Sequence, residues 1–251
     1  MRNQPLLTET ESFLFPGLSF PTVASAFSGR NDGNMSLCYA DIRDSLLHRK
    51  DFLARIGIDY RGIISAKQVH KSHIEYVTAR EIGRGALSYD TCIENTDCLI
   101  TDTRNLALTI FSADCQVIFL YDPHTPAVGI VHAGWRGSLE CIAVKALARM
   151  TEQFKTQPEE IHVGFGPSIR QCCYHVGKEF LEFFPEDVAQ RDDGLYFDLV
   201  AVNKKQLAVA GVRNTNIFDS ASCTSCQQGS FFSYRKEGEL CGRMISVIML
   251  K

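Results

Sequence analysis

The order of short β-rich runs is what most restricts the fold open to this chain. Candidate strands fall at 61–66, 73–78, 97–101, 106–112, 116–122 and 127–132 before the clearest helix, then at 160–165, 215–219 and 243–249 after it. A doubly wound parallel sheet needs strand and helix in strict alternation, because parallel neighbours must be joined by a crossover. Strands in direct succession instead favour α+β, a mixed β-sheet with helices packed on it. The clearest helix follows Ser138, a candidate N-cap. Leu139, Ile142, Ala146, Leu147, Met150 and Phe154 recur there at i, i+3, i+4 spacing, and Pro158 lies beyond. Residues 41–56, with Ile42, Leu46, Leu53 and Ile56 before Gly57, predict a second helix. Residues 198–211, ending at Gly211, predict a third.

Two hundred and fifty-one residues allow one large domain or two small ones, and at that size neither disulfides nor a structural metal is needed to fold. No repeat, low-complexity tract or linker divides the chain, so the reading is a short N-terminal segment, 1–24, and one domain, 25–251. Lys and Arg number 26 against 29 Asp and Glu, and they are scattered, so no basic stripe marks a nucleic-acid partner. Apolar runs such as Val117–Tyr121 fall far below the roughly 20 residues that span a bilayer. The start, residues 1–9, lacks the apolar core of a secretory signal. The expectation is a cytoplasmic chain with neither a membrane nor a nucleic acid as partner.

Ten cysteines in such a chain read as reduced thiols, serving as buried filler, metal ligands or nucleophiles. Cys38, Cys92, Cys98 and Cys141 have ordinary neighbours and read as structural. Cys223-Thr224-Ser225-Cys226 is a CxxC without the second pair that a zinc ribbon requires, since Cys241 alone does not complete one, and it also reads as structural. Cys172 and Cys173 beside His175 offer either a second metal site or ordinary packing, with packing the commoner outcome.

Three segments stand out as carriers of chemistry. Lys67-Gln68-Val69-His70 follows an apolar run, Ser112-Ala113-Asp114-Cys115 joins two strands, and Val131-His132-Ala133-Gly134-Trp135-Arg136-Gly137 joins a strand to a helix. His70, Cys115 and His132 together give two imidazoles and a thiolate. Such a set suits zinc or copper and leaves one coordination position open. Spacing does not force the three together, and a satisfied histidine or an inert cysteine is the commoner fate of each. His73, His48, His124 and His162 read as ordinary surface or packing residues. The two glycines around Trp135 and Arg136 at a helix start suggest an anion site, with a tightly packed turn as the alternative.

His132-Ala133-Gly134-Trp135-Arg136-Gly137, preceded by Ala113-Asp114-Cys115 and Gln68-Val69-His70, resembles the YfiH-like or laccase-domain family, formerly called multicopper polyphenol oxidoreductases. Gly166-Pro167-Ser168-Ile169, Cys172–Gly177, Phe231-Phe232-Ser233-Tyr234-Arg235, Gly242-Arg243 and Ser28–Leu37 extend the resemblance from about residue 25 to the end. It implies an α+β sandwich, metal ligands at His70, Cys115 and His132, and zinc as cofactor, with copper the alternative. It also implies purine nucleoside phosphorylase activity on adenosine, inosine and methylthioadenosine, together with adenosine deaminase activity, so that purine nucleosides and phosphate are the partners. Editing of cell-wall precursors, linked to some members, is the rival activity. True polyphenol oxidation is disfavoured, because seven histidines cannot supply a blue-copper centre and a trinuclear cluster. A thiol hydrolase using Cys115 and His132 is a further rival.

On this reading Arg136 and the N–H groups after it hold phosphate, with Arg30 as a second cation. The metal lowers the pKa of a bound water for deamination. Asp114 and Gln68 are candidate proton-transfer or hydrogen-bonding groups, and Asp114 alternatively orients a histidine ligand. Cys38 and His175 depart from the family pattern, standing where Asn and Glu are usual.

Overall fold

The computed structural model describes residues 18, 20–39 and 41–251. Residues 1–17 and 19, most of the N-terminal segment set apart above, lie outside the described residues. Strands β1 to β13 occupy Val23–Phe27, Ile64–Ser65, Ile74–Tyr76, Cys98–Thr101, Leu108–Ser112, Gln116–Asp122, Ala127–Ala133, His162–Phe165, His175–Val176, Val188–Arg191, Gly194–Phe197, Ile217–Asp219 and Met244–Leu250. Helices α1 to α6 occupy Ile42–Arg55, Trp135–Leu139, Ile142–Phe154, Phe180–Phe183, Leu199–Val209 and Tyr234–Glu237.

Two mixed sheets form the body, in the orders β1-β13-β5-β2 and β12-β8-β6-β7-β4-β3. Alternation along single strands shows how they stack. In β6, Val117, Phe119 and Tyr121 join a cluster shared with Leu108 and Ile110 of β5 and Ile248 and Leu250 of β13. The intervening Ile118 and Leu120 join Ile142, Ala146 and Met150 of α3 and Leu207 of α5. Successive strand residues face opposite ways, so the sheets pack face to face, with α3 and α5 covering the outer side of the larger one. The odd positions of β13, Ile245 and Val247, pack with Phe52 and Leu53 of α1 on the outer side of the smaller sheet. The expected α+β sandwich is thus observed. Among the described residues no helix is long and apolar enough to cross a membrane.

The helices at 41–56 and 198–211 form as α1 and α5, capped by Asp41 and Asp198, whose side chains accept backbone N–H bonds. The helix expected from Ser138 does not start there. Ser138 is buried and its hydroxyl accepts from Asn203 Nδ2 at 2.8 Å. The helical stretch breaks at Cys141, which takes a left-handed conformation (φ 56°) between α2 and α3. That break frees α2 to press against the loop after β2, where a Cβ on Gly137 would lie 3.0 Å from the Lys71 carbonyl. A small third sheet, β10-β11-β9, was not expected from the sequence. It packs beside an aromatic cluster of Trp135, Phe180, Phe184 and Phe197.

One ion cluster ties three elements behind the larger sheet. Asp219, ending β12, accepts from Arg170 at 2.5 and 3.0 Å and from Lys204 of α5 at 2.7 Å. Burial alone would raise its pKa, but these two cations and the Ala221 N–H bring it down from 3.8 to about 2. A carboxylate depressed in the folded state stabilises above its unfolded pKa and loses that contribution as pH falls through the folded value. Asp219→Asn should therefore cost on the order of 2 kcal/mol at neutral pH. The gap from the unmodified protein, read by urea unfolding, should close between about pH 4 and pH 2.

Candidate active site

Each of the three proposed ligands sits where the chain passes between, or leaves, the facing sheets. His70 lies on the crossing from β2, in the smaller sheet, to β3, in the larger. Cys115 lies on the three-residue crossing from β5 to β6, and His132 is near the end of β7. Two of these connections bridge the sheets at one end of the sandwich, which is why residues 45 and 17 positions apart converge. The ligand atoms of His70, Cys115 and His132 all lie within 4.8 Å of one another. The two rings stand edge to face, with centroids 4.8 Å apart.

A buried carboxylate that the sequence reading did not single out holds this arrangement. Asp97 accepts the backbone N–H groups of Val69, His70 and Lys71 at 3.2, 3.0 and 2.9 Å. Its Oδ1 also meets His132 Nδ1 at 2.8 Å. The N–H bonds stabilise a loop that places His70 at φ 59°. The bond to Nδ1 directs His132 Nε2 toward Cys115 and fixes the tautomer that a metal requires. Asp97 immediately precedes a β run, and no pattern in the sequence distinguishes it from a strand-capping aspartate.

Gly134 explains the strand-to-helix motif. A Cβ at this position would come within 3.2 Å of Cys115 Sγ and 3.4 Å of His70 Cδ2, so glycine leaves the ligands their room. Arg136 is not on the cavity lining, though its charge reaches Tyr174, which is. It is exposed on the five-residue helix α2 and stacks on Trp135 with its guanidinium 4.2 Å from the ring centroid. Trp135 in turn stacks on Phe183, with centroids 5.8 Å apart. Arg30 also lies away from the ligands. It donates to the Gln228 and Phe231 carbonyls and pairs with Glu237, closing the N-terminal part of the chain onto the 228–237 segment.

Asp114 and Gln68 do line the cavity, but their polar atoms are committed. Asp114, at φ 91°, accepts from Thr224 Oγ1 (2.6 Å), Ser233 Oγ (3.0 Å) and the Arg235 N–H (2.7 Å). Gln68 exchanges two 2.8 Å bonds with the backbone of Phe111. Orienting the histidine ligand falls to Asp97, not to Asp114.

The ligands open onto a cavity of about 490 Å³. Phe111, Tyr89, Tyr174 and Tyr234 contribute aromatic walls, and Arg49, Arg235 and Arg243 contribute cations. Arg49 is buried, with its guanidinium bound to the carbonyls of Met35, Gly85 and Ala86 at 2.8–3.0 Å. Burial depresses its pKa to about 10, which leaves it charged at neutral pH. Arg235 donates to the His175 carbonyl at 2.7 Å, and Arg243 sits 4.6 Å from the Tyr39 ring centroid. Of the two family departures, Cys38 lines the cavity, whereas His175 is exposed on β9 against Tyr196.

Without a metal, Cys115 and His132 form a thiolate–imidazolium pair, and a bound metal would take the place of the His132 Nε2 proton. Burial would raise the Cys115 thiol, but the facing imidazoles of His132 and His70 pull it down to about 6. Burial would lower His132, but Cys115 and Asp97 hold it at about 9. A thiolate beside two imidazoles is a soft, partly open donor set. These residues fit a borderline-soft metal ion, which His70, Cys115 and His132 would hold, with His132 presenting Nε2.

The chain belongs to the multi-copper polyphenol oxidoreductase laccase family, whose pattern it matches over residues 24–251. A purine nucleoside phosphorylase, YlmD, from Geobacillus stearothermophilus is 32% identical over 225 residues, covering 86% of this chain and 82% of the relative. An adenosine deaminase, RL5, from an unknown prokaryotic organism is 30% identical, covering 93% of this chain and 94% of its own length. The crystal structure of YlmD from Geobacillus stearothermophilus superposes with a TM-score of 0.88 at 30% identity, covering 94% of each chain. That of Bacillus licheniformis YfiH gives 0.87 at 31% identity, covering 93% of this chain and 98% of its own.

Asp97→Asn keeps the shape at His132 but removes the charge. Zinc affinity, measured by competition with a chromophoric chelator, should fall roughly 10–100-fold. Unchanged affinity would mean that Asp97 serves only to brace residues 69–71.

Proposed function

We propose that this chain is a metal-dependent purine nucleoside phosphorylase acting on adenosine, inosine and methylthioadenosine, with adenosine deaminase activity at the same site. The observation that carries this reading is the three-ligand donor set opening onto a cavity whose walls combine aromatic rings with three arginines. A purine nucleoside needs flat apolar walls for its base, and its co-substrate, phosphate, needs cations. Among the described residues Asp114 is the only carboxylate on the cavity lining, set against Arg49, Arg235 and Arg243, so the charged side chains there are positive in sum. The names borne by the relatives point to the same substrates.

In phosphorolysis, phosphate oxygen forms a bond to the anomeric carbon as the N-glycosidic bond breaks, and the departing purine takes a proton. Holding both substrates together supplies much of the rate, since orientation converts an encounter into a local event. Arg235 and Arg243 are the groups best placed to attract and orient phosphate. Buried Arg49 adds a fixed positive charge that needs no reorganisation during the reaction. Phe111, Tyr89 and Tyr174 supply stacking faces for the base. Burial keeps the Tyr174 phenol protonated, so it serves as a hydrogen-bond donor. Held by His70, Cys115 and His132, zinc would supply Lewis acidity and lower the pKa of a water bound to it, the chemistry that deamination at purine C6 requires. Asp97 contributes by holding His132 in one tautomer, and Asp114 by holding the turn that carries Arg235.

The test is a nucleoside assay on metal-quantified protein, with adenosine supplied with and without phosphate and adenine, ribose 1-phosphate and inosine separated by chromatography. Phosphate-dependent adenine is expected, alongside phosphate-independent inosine. Cys115→Ala should abolish both while leaving the circular dichroism spectrum intact. Arg235→Ala should raise the KM for phosphate by about tenfold or more, the value of one lost charge-assisted contact. Nucleoside cleavage by folded Cys115→Ala protein would overturn the metal role. Absence of turnover on any purine nucleoside, with metal bound, would overturn the proposed activity in favour of cell-wall precursor editing.

A further inference from the structure

Outside the cavity, the CxxC that the sequence left as structural comes together with Cys172 and Cys173, which the sequence left between a second metal site beside His175 and ordinary packing. Cys223 and Cys226 are the ends of the CxxC, and the pair a zinc knuckle would need is supplied by Cys172-Cys173, about fifty residues earlier in the chain. Cys226 Sγ lies 3.4 Å from Cys172 Sγ and 3.2 Å from Cys173 Sγ, and all four sulfurs fall within 4.8 Å of one another. With Zn–S bonds of about 2.3 Å, a tetrahedron sets its sulfurs about 3.8 Å apart, in the middle of this range. An iron–sulfur cluster would hold its cysteines further apart, because an inorganic core sits between them.

The backbone is shaped for the same purpose. The Gln227 N–H bonds the Cys223 carbonyl at 3.0 Å, closing the turn that brings Cys226 back over Cys223. On the other side, Cys173 and Tyr174 both donate to the Arg170 carbonyl. This tight turn carries adjacent cysteines on one side, where an extended strand would send them to opposite faces. A paired bridge, Ser168 to Cys223, aligns the two segments, and Arg170 Nε reaches the Ser222 carbonyl at 3.3 Å. Cys172 and Cys226 are exposed, so an ion has access.

We propose that Cys172, Cys173, Cys223 and Cys226 form a second metal centre, a closed four-thiolate zinc site separate from the His70/Cys115/His132 set. Four protein ligands leave no open position, so its role is to clamp. The clamped segments carry cavity residues: Ile169 and Tyr174 on one, and Thr224, which holds Asp114, on the other. The centre therefore fixes one wall of the cavity from outside.

The experiment counts zinc in the full-length protein purified under reducing conditions. Two zinc per chain are expected, falling to one in Cys115→Ala, to one in Cys226→Ser and to one in Cys172→Ser. The last two alter exposed side chains and should leave the far-ultraviolet circular dichroism unchanged. In the Cys115→Ala protein, Co²⁺ exchanged for the remaining zinc should give the strong thiolate-to-cobalt absorption of a tetrahedral four-sulfur site, and this should be lost in Cys115→Ala/Cys226→Ser. Chelator should lower the Tm of Cys115→Ala but not that of the double variant. Zinc content unaffected by Cys226→Ser and Cys172→Ser would overturn the proposal. So would disulfide pairing of these four cysteines in protein with a full complement of zinc. Loss of zinc in Cys115→Ala alone would bear only on the cavity site, so the two assignments fail separately.

Discussion

The buried carboxylate of Asp97 is the interaction on which the site depends. Its oxygens accept three successive backbone N–H groups from residues 69–71 and one imidazole N–H from His132. Burying a charge is costly unless it is fully hydrogen-bonded, and here every bond that satisfies Asp97 also positions a ligand. One group thus couples the β2–β3 crossing to the end of β7, and the imidazolium it supports in turn stabilises the Cys115 thiolate. Removing its charge leaves the loop, the tautomer and the thiolate each less determined.

The sandwich supplies the place where such a coupling is possible. Facing sheets bury their shared apolar layer well, but chain that passes from one sheet to the other must turn at the rim, where backbone groups need partners. The β2–β3 and β5–β6 crossings turn at the same end, and their polar needs are met by Asp97, Gln68 and Asp114. These three side chains hold backbone in position. The cations that face the cavity come from other parts of the chain: Arg49 from a helix on the far side of the smaller sheet, Arg235 and Arg243 from the C-terminal segment.

Much of the framework was legible in the sequence because β-rich apolar runs follow one another at 106–112, 116–122 and 127–132, and strands buried on both faces read as near-continuous apolar segments. The helices α1 and α5 were legible through their caps and spacing. The third sheet was not, because its strands are short and half-exposed, so its pairing rests on contacts with Trp135 and Phe180 that no local pattern encodes. The helix after Ser138 was misjudged at its start, since a serine before an apolar stripe has the same signature whether it caps a helix or is buried against Asn203. Arg136 and Arg30 looked like anion ligands because arginine beside glycine is the usual sign of one. In the fold, Arg136 lies on Trp135, and Arg30 is spent on carbonyls and Glu237.

The sequence by itself determined the succession of strands and helices along the chain, the α+β class and the donor types at His70, Cys115 and His132, because β-rich runs and ligand chemistry are local properties; the sandwich was implied by the family resemblance. It determined the CxxC at 223–226 as well, but not its partner. Only the tertiary structure decided that Asp97 sits behind His132, that Arg49, Arg235 and Arg243 face the cavity, and that Cys172 and Cys173 come to lie on Cys226. Each of these depends on which crossing meets which at the rim of two stacked sheets. That is a matter of long-range packing, in which residues 35 to 54 positions apart are brought within bonding distance without any trace in their spacing.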